Sequence, residues 1–371
     1  MQHKFGALDL IRAGLRDLDK ARTLFDELHN DGIDDDRMRL LLTTLEKACD
    51  PDVALSNLVD IIKVVQSQGE DFTNIIADEN SFIRLITVLG VSDEMGKLMR
   101  FRPELVEAAA NDACESHLYN HEQRRAHVLK SVGADPNDHT MPTASLPLAE
   151  AATALRKTYR KQLAAIMAQD AMANDPITIQ PRISTELSDL ADAALEGALA
   201  IARHEVDGSE HVRFAIIGMG KLGAQELNYV SDVDLIYVVE PADADTNGMT
   251  LSRVGTKMAT TLQRVCQSVI MGVAEPTLWQ IDGGLRPEGK DGPLVRRLES
   301  HEAYYEQWAE NWEFQALLKA RPVAGDSDLG QAYMSMTRPF VWTASKRDNF
   351  VYDCQQMRKR VEDLIPNPLK D

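Results

Sequence analysis

Asp232 and Asp234 stand one residue apart in the apolar run DVDLIYVVE. In an extended strand successive side chains alternate, so both aspartates project from one face while Val233 and Leu235 face the other way. Two carboxylates held a few ångströms apart repel each other unless a cation sits between them, and hard oxygen ligands select Mg2+ or Mn2+. Asp282, in the further apolar segment TLWQIDGGL, could complete the site. Three carboxylates on neighbouring strands can hold two metal ions, the usual equipment for in-line displacement at phosphorus.

A second chemistry competes for the same stretch. Gly218, Gly220 and Gly223 spell G-x-G-x-x-G behind an apolar run, and Glu240 follows about twenty residues on, which is the dinucleotide-binding fingerprint. A Rossmann unit, however, needs a helix between its first two strands, with the pyrophosphate resting on that helix's N-terminus. Only Ala224 to Ser231 separates the last glycine from the aspartates, room for two turns at most and without an apolar face. We therefore read a tight glycine turn whose backbone N–H groups approach a phosphate, with Lys221 adding a cation. Taken alone, Asp232 and Asp234 could also be strand-end residues in water; the glycine turn and the third carboxylate count against that.

The elements that must position these residues are strands and an intervening helix. VRFAIIG, DVDLIYVVE and TLWQIDGGL have the β-branched and apolar content of strands. Between the second and third, Leu251, Val254, Met258, Leu262, Val265 and Val269 recur at helical spacing and predict an amphipathic helix. Upstream, to about residue 132, the pattern is helical: Phe82, Ile86 and Leu89 form one stripe, and Ser92 is placed to cap a helix carrying Met95, Leu98 and Met99. Gly133 to Pro147 has the composition of a linker. Leu155, Tyr159, Leu163 and Ile166 predict a helix that NDPITIQP breaks before another from about Ser184 to His204. After RPEGKDGP, a helix puts Tyr305, Trp308 and Trp312 on one face and ends at Pro322, and a last one runs from Asp348 to Ile365. The fold class expected is α+β, predominantly helical, with a small mixed sheet preceded and followed by helices.

Composition narrows the ligand. A chain of 371 residues can hold two or three domains, and 44% apolar with 26% charged residues is ordinary for a soluble globular protein. No run of about 18 apolar residues could span a bilayer, and the opening MQHKFGALDLIRAGLRDL lacks a secretory signal, so a cytoplasmic location is expected. Cys49, Cys114, Cys266 and Cys354 lie far apart, which fits a reducing compartment and argues against both disulfides and a thiolate metal site. A net charge of −18 repels a phosphate backbone, so neither nucleic acid nor membrane is an expected partner. His117 and His121 share a helical face without a third ligand and read as solvated; Trp308 and Trp312 read as core rather than as an adenine stack.

A glycine turn, about ten residues, an Asp pair on a strand and a later Asp is the pattern of the DNA polymerase β-like nucleotidyltransferases. More closely, GMGKLGAQELNYVSDVDLIY, QIDGGLRPEGKDGPLV and WEFQALLKARPVAGD together resemble the bifunctional glutamine synthetase adenylyltransferase/adenylyl-removing family. LGVSDEMGKLMRFRPEL and ALRKTYRKQLAAIMAQD are similar to that family's N-terminal helical region. Such enzymes carry two nucleotidyltransferase domains, one adding AMP to a tyrosine of glutamine synthetase and the other removing it. One copy is present here, so the resemblance implies an N-terminal fragment carrying the adenylyl-removing domain. It implies a helical region at 1–132, a linker at 133–147, the nucleotidyltransferase domain at 148–330 and a helical segment at 331–371.

By the same resemblance Asp232 and Asp234 would be metal ligands, Asp282 the third carboxylate, and Gly220, Lys221 and Gly223 the phosphate turn. Ser231 would contact phosphate or a metal-bound water, while Glu226 and Asn228 would be buried polar residues fixing the turn. Ala224 stands where the family often has a further glycine. The implied reaction is phosphorolysis of adenylyl-tyrosine with Mg2+ or Mn2+, two ions, giving ADP. Arg286, Lys319 and Arg321 are candidates to hold the attacking phosphate; Glu288 receives no role. The implied partners are adenylylated glutamine synthetase, inorganic phosphate, ADP and a PII-type nitrogen-signalling protein. The alternatives are the opposite direction, AMP transfer from ATP, and a catalytically silent regulatory module.

Overall fold

A computed structural model describes residues 5–69, 72, 78–110, 119–244 and 247–364. Cys114, His117, Ile365 and the closing PNPLKD lie outside them. The first part of the chain is helical: α1 (Ala7–Arg12), α2 (Leu18–Asn30), α3 (Asp35–Leu45), α4 (Pro51–Ser67), α5 (Glu79–Val91), α6 (Asp93–Phe101), α7 (Glu104–Ala110), α8 (His121–Ser131), α9 (Leu148–Ala171) and α10 (Pro176–Glu205). Contacts divide the chain into two units, Met1–Tyr119 with Tyr159–Ile183, and Asn120–Thr158 with Ser184–Asp371.

In the first unit the helix starts are written in the sequence. Asp17, Asp34, Asp50, Asp78 and Ser92 each accept the backbone N–H three residues on, capping α2 to α6. Ser92 does so as its position predicted. Leu28, Leu41, Ile61, Leu85, Ile86 and Leu89 are fully buried and join Ala164 and Ala168 of α9 in one apolar core.

The second unit is built on a five-stranded sheet. Its strands are β1 (Val212–Gly218), β2 (Val233–Pro241), β3 (Ile281–Asp282), β4 (Val295–Arg296) and β5 (Arg321–Gly325). Between β1 and β2 lies a single helical turn, α11 (Gly220–Gly223). Later come α12 (Gly248–Gln267), α13 (Leu298–Gln307), α14 (Asn311–Leu317), α15 (Ser327–Ala344) and α16 (Phe350–Leu364). β1 is antiparallel to β2 without interruption from Val212↔Pro241 to Gly218↔Leu235. On its other side it pairs antiparallel with β5, with a register shift between Ile216 and Ile217. β3 and β4 run parallel to β2 at its start and its later part. One sheet face, Ala215, Ile217, Ile236 and Val238, packs against Tyr305, Phe314, Leu317, Leu329 and Tyr333. On the other face α12 comes close enough that a Cβ on Gly255 would press on Val239 and Val295. This is the predominantly helical α+β architecture with a small mixed sheet that the sequence implied.

Several elements differ from expectation. TLWQIDGGL supplies only two strand residues, because the Asp282 carboxylate folds back onto the Gly284 N–H at 2.6 Å and turns the chain away. β4 and β5 are short strands without strand-like alternation, and β5 contains Pro322, which sits in a strand instead of ending a helix. The helix expected to carry Tyr305, Trp308 and Trp312 is broken, since Glu310 and Glu313 form a capping box that restarts it as α14. Tyr305 is core, but Trp308 is 72% exposed, so the core reading of Trp308 is corrected. NDPITIQP breaks the chain only at 172–175; Asp175 caps Ile177 and Thr178, and α10 begins at Pro176 rather than near Ser184. Residues 132–147 have neither helix nor strand but are held down. Arg125 donates to the carbonyls of Pro136 and Asp138, Arg203 to that of Pro142, and the Ala144 N–H to that of Ala200. Cys49, Cys266 and Cys354 are unbonded. No helix among the described residues is long and apolar enough to cross a membrane.

Candidate functional site

Asp234 is the second residue of β2, and Asp282, in parallel register beside it, is the second of β3. By strand alternation Asp234 continues the row of Ile236 and Val238, whose side chains anchor that sheet face. Asp232 stands just before β2, exposed, and Asp282 is half-buried. Burial first, then the charges of Asp232 and Asp282, push the Asp234 carboxyl up to about 6, with Lys221 pulling it back. Asp234 thus feels the other two carboxylates. None of the three forms an ion pair within 4 Å among the described residues.

The glycine turn abuts this group. Gly220 has φ +54, and a Cβ there would collide with Asp234 Oδ2. At Gly223 a Cβ would run into the Lys319 carbonyl. The Met219 N–H donates to the Asp234 carbonyl at 2.9 Å, tying the turn to β2. The Lys221 side chain is exposed and its ammonium has no hydrogen-bond partner among the described residues, and the half-buried Ser231 hydroxyl has none either. Asp234 with Asp282 in register beside it, a lysine with an uncommitted ammonium and a cradle only glycine can line are donors of the kind that suit hard divalent cations and the phosphate oxygens they accompany.

The remaining predicted residues have partners. Arg286 donates to the carbonyls of Gly283, Lys290 and Gly292, closing the loop behind Asp282. Lys319 pairs with Glu226 at 2.6 Å. Arg321 grips Asp192 through two nitrogens, at 2.5 and 3.1 Å, and donates to the carbonyls of Leu222 at 3.0 Å and Gly223 at 3.3 Å. Glu226 and Asn228, expected to be buried, are both exposed, because the chain leaves the turn along the surface. Glu288 holds a left-handed backbone, φ +64, and pairs with Arg296.

Asp192 belongs to a group the sequence reading missed. His121, Asp189 and Asp192 bring ligand atoms within 4.8 Å of one another, a set that could hold a metal ion. His121 is therefore not simply solvated: its Nε2 lies 3.6 Å from Asp192, whose carboxylate raises the imidazole pKa above the usual range. Burial, and then the charge on Asp192, lift the Asp189 carboxyl against the pull of His121 and Arg321. The available signal was the stripe Ser188, Asp192, Glu196 at four-residue spacing in an alanine-rich helix, polar groups on a face too apolar around them to be solvated. All three are buried.

Comparison with known proteins bears on this geometry. Residues 82–336 match the sequence model of glutamate-ammonia ligase adenylyltransferase, well over half of the chain. The chain belongs to this family. A Bifidobacterium longum protein named bifunctional glutamine synthetase adenylyltransferase/adenylyl-removing enzyme is 75% identical over 99% of the chain and 34% of its own length. Relatives of the same name from Cutibacterium acnes and Corynebacterium glutamicum are 40% and 39% identical, over 96% and 89% of the chain and 36% and 33% of their own lengths. The chain thus spans about a third of the curated relatives it matches. Membership of an adenylyltransferase family sets aside the nicotinamide reading of Gly218, Gly220 and Gly223, and the single helical turn α11 gives the structural reason.

Proposed function

We propose that this chain carries the adenylyl-removing activity of its family. Inorganic phosphate attacks the α-phosphorus of an adenylylated tyrosine on glutamine synthetase, the bond from phosphorus to the tyrosine oxygen breaks, and ADP and free tyrosine leave. The observation that carries the reading is Asp234, packed against Gly220 in register with Asp282 and lifted to about 6 by burial and by the charges of Asp232 and Asp282. Asp232, Asp234 and Asp282 would hold Mg2+ or Mn2+, two ions. When bound, these neutralise charge on the reacting phosphates and on the departing tyrosinate, whose ordinary pKa is about 10.

The chain's own groups do the rest. The N–H of Gly220, at the start of the turn, would orient a phosphate oxygen, Gly223 would let the chain pass close by, and Lys221 would supply the free cation. The Ser231 hydroxyl would donate to the same oxygens. Lys319 can exchange Glu226 for phosphate because that pair is half-exposed. Arg286 cannot do so without opening its loop. Phosphate is largely anionic near neutral pH, so this direction needs positioning and charge neutralisation rather than a strong base. The domain would span 148–330, act in the cytoplasm without nucleic acid or membrane, and answer to a PII-type protein.

Incubation with adenylylated glutamine synthetase, Mg2+ and phosphate should release ADP, and Asp232→Asn or Asp234→Asn should lower the rate by about a thousandfold or more. Equal ADP release by both variants removes the site. Label passing from ATP onto unmodified synthetase, with no phosphate-dependent ADP, assigns the opposite direction instead.

A further inference from the structure

After Gly223 the chain has no helix or strand until Val233, so α11 has little regular structure to hold its shape. What holds it is one polar face of α10. Ser188 Oγ accepts the Leu227 N–H at 3.4 Å, and Asp189 Oδ1 accepts from the Gln225 side chain at 3.1 Å. Gln225 itself has φ +56, a backbone a side chain does not adopt without support. Asp192, 1% exposed, orients the Arg321 guanidinium with both oxygens, and the guanidinium then donates to the carbonyls of Leu222 and Gly223.

We propose that Asp192 is a positioning residue for the glycine turn, acting through Arg321. The inference rests on reading the turn as the phosphate cradle. Of the two carbonyls at the C-terminal end of α11, that of Leu222 also accepts the Gln225 N–H at 3.2 Å, whereas that of Gly223 relies on Arg321 and would otherwise be free to rotate toward an incoming anion and repel it. Arg321 fixes them pointing away and sets its positive charge behind the turn, so the N–H at Gly220 is aimed before phosphate arrives. Preorganised donors of this kind cost no rearrangement at the moment of reaction. Asp192 keeps the fork in plane, because a bidentate carboxylate fixes both the place and the tilt of a guanidinium. The same contacts explain why Arg321 is not itself available to phosphate: its nitrogens already serve Asp192 and the two carbonyls.

The test compares wild type, Asp192→Asn, Arg321→Met and the double variant. It measures KM for phosphate and kcat in the ADP-release assay, Mn2+-dependent ADP binding by calorimetry, and melting temperature. Each single variant should raise KM for phosphate and weaken ADP binding about tenfold, with kcat falling by less. The double variant should be no worse than either single one, since both break the same chain of contacts. Arg321→Lys, which keeps the charge beside Asp192 but lacks the fork, should fall between wild type and Arg321→Met. If Asp192→Asn does not fold, Gln225→Ala, which releases the turn from Asp189, should shift KM in the same direction by about threefold. Lower melting temperature with unchanged KM and ADP affinity would make Asp192 scaffold only. Loss of one Mn2+ from the calorimetric stoichiometry would make it a metal ligand with His121 and Asp189. Either result overturns the proposal. Wild-type protein that releases no ADP defeats the activity assigned above and not this inference, which the ADP-binding arm still decides.

Discussion

Gly220 is the residue on which the two halves of the site meet. Its φ of +54 suits glycine, and the position a Cβ would take is already filled by Asp234 Oδ2. Gly220→Ala should therefore cost about 1–3 kcal/mol of stability from backbone strain. By pushing Asp234 off its partners, it should also lower ADP release by about a hundredfold, the scale of a misplacement near 1 Å. Denaturant unfolding and the same assay read both numbers; normal activity with lowered stability would separate the glycine from the carboxylates. At this scale the sequence was informative. The spacing and apolar content put Asp234 on a strand, where it is, while Asp232 falls just before β2, where alternation does not dictate its face. Asp192 could not be placed in this way. Its partner Arg321 is 129 residues away, and no local spacing encodes a pairing across that distance.

At the scale of elements, long segments with strong periodicity were legible and short ones were not. β1 and β2 are where their β-branched content put them, and α12 carries the predicted stripe from Leu251 to Val265, whereas Val269 falls beyond the helix and is exposed. β3, β4 and β5 are set by tertiary pairing with β1 and β2, a source of order that two to five residues cannot carry in their own composition. The C-terminal end of α12 shows a related dependence. Arg156 of α9, 1% exposed, donates to the carbonyls of Val265, Ser268 and Glu275, satisfying acceptors at that end that have no helical partners. Arg156→Met would leave those buried carbonyls unpaired and should cost about 3 kcal/mol, with Arg156→Lys recovering only part. Thermal unfolding of the two variants checks the order.

For the molecule as a whole, the pH response should carry the mark of one buried ring. His301 is 1% exposed between Tyr305 and Tyr333, and burial, reinforced by Arg296, lowers its pKa to about 3. An unfolded histidine titrates near about 6.5. Below that pH the unfolded chain takes a proton that the folded chain refuses until about 3. This contribution to stability is full above the unfolded value and declines as pH falls toward the folded one. The loss should reach up to about 1.4 kcal/mol per pH unit. His301→Phe should flatten the slope between pH 6 and 4 relative to wild type, roughly by that amount; equal slopes would mean the ring is reached by solvent. The charge of −18 acts over longer distances and belongs with solubility and the choice of partner rather than with fold.

The unbroken ladder between β1 and β2 determines where this chain can tolerate insertions and deletions. A slip of one residue in β2 would turn Asp234 to the opposite face of the sheet, away from Asp282 and Gly220. The irregularity in the sheet falls between β1 and β5 instead, strands that carry none of Asp232, Asp234 and Asp282. Residues 228–231, exposed or half-buried and outside any strand, lie between the stretch held by α10 and the start of β2. Gains and losses of chain length are absorbed there without disturbing the aspartates, whereas within β2 even one residue changes the chemistry.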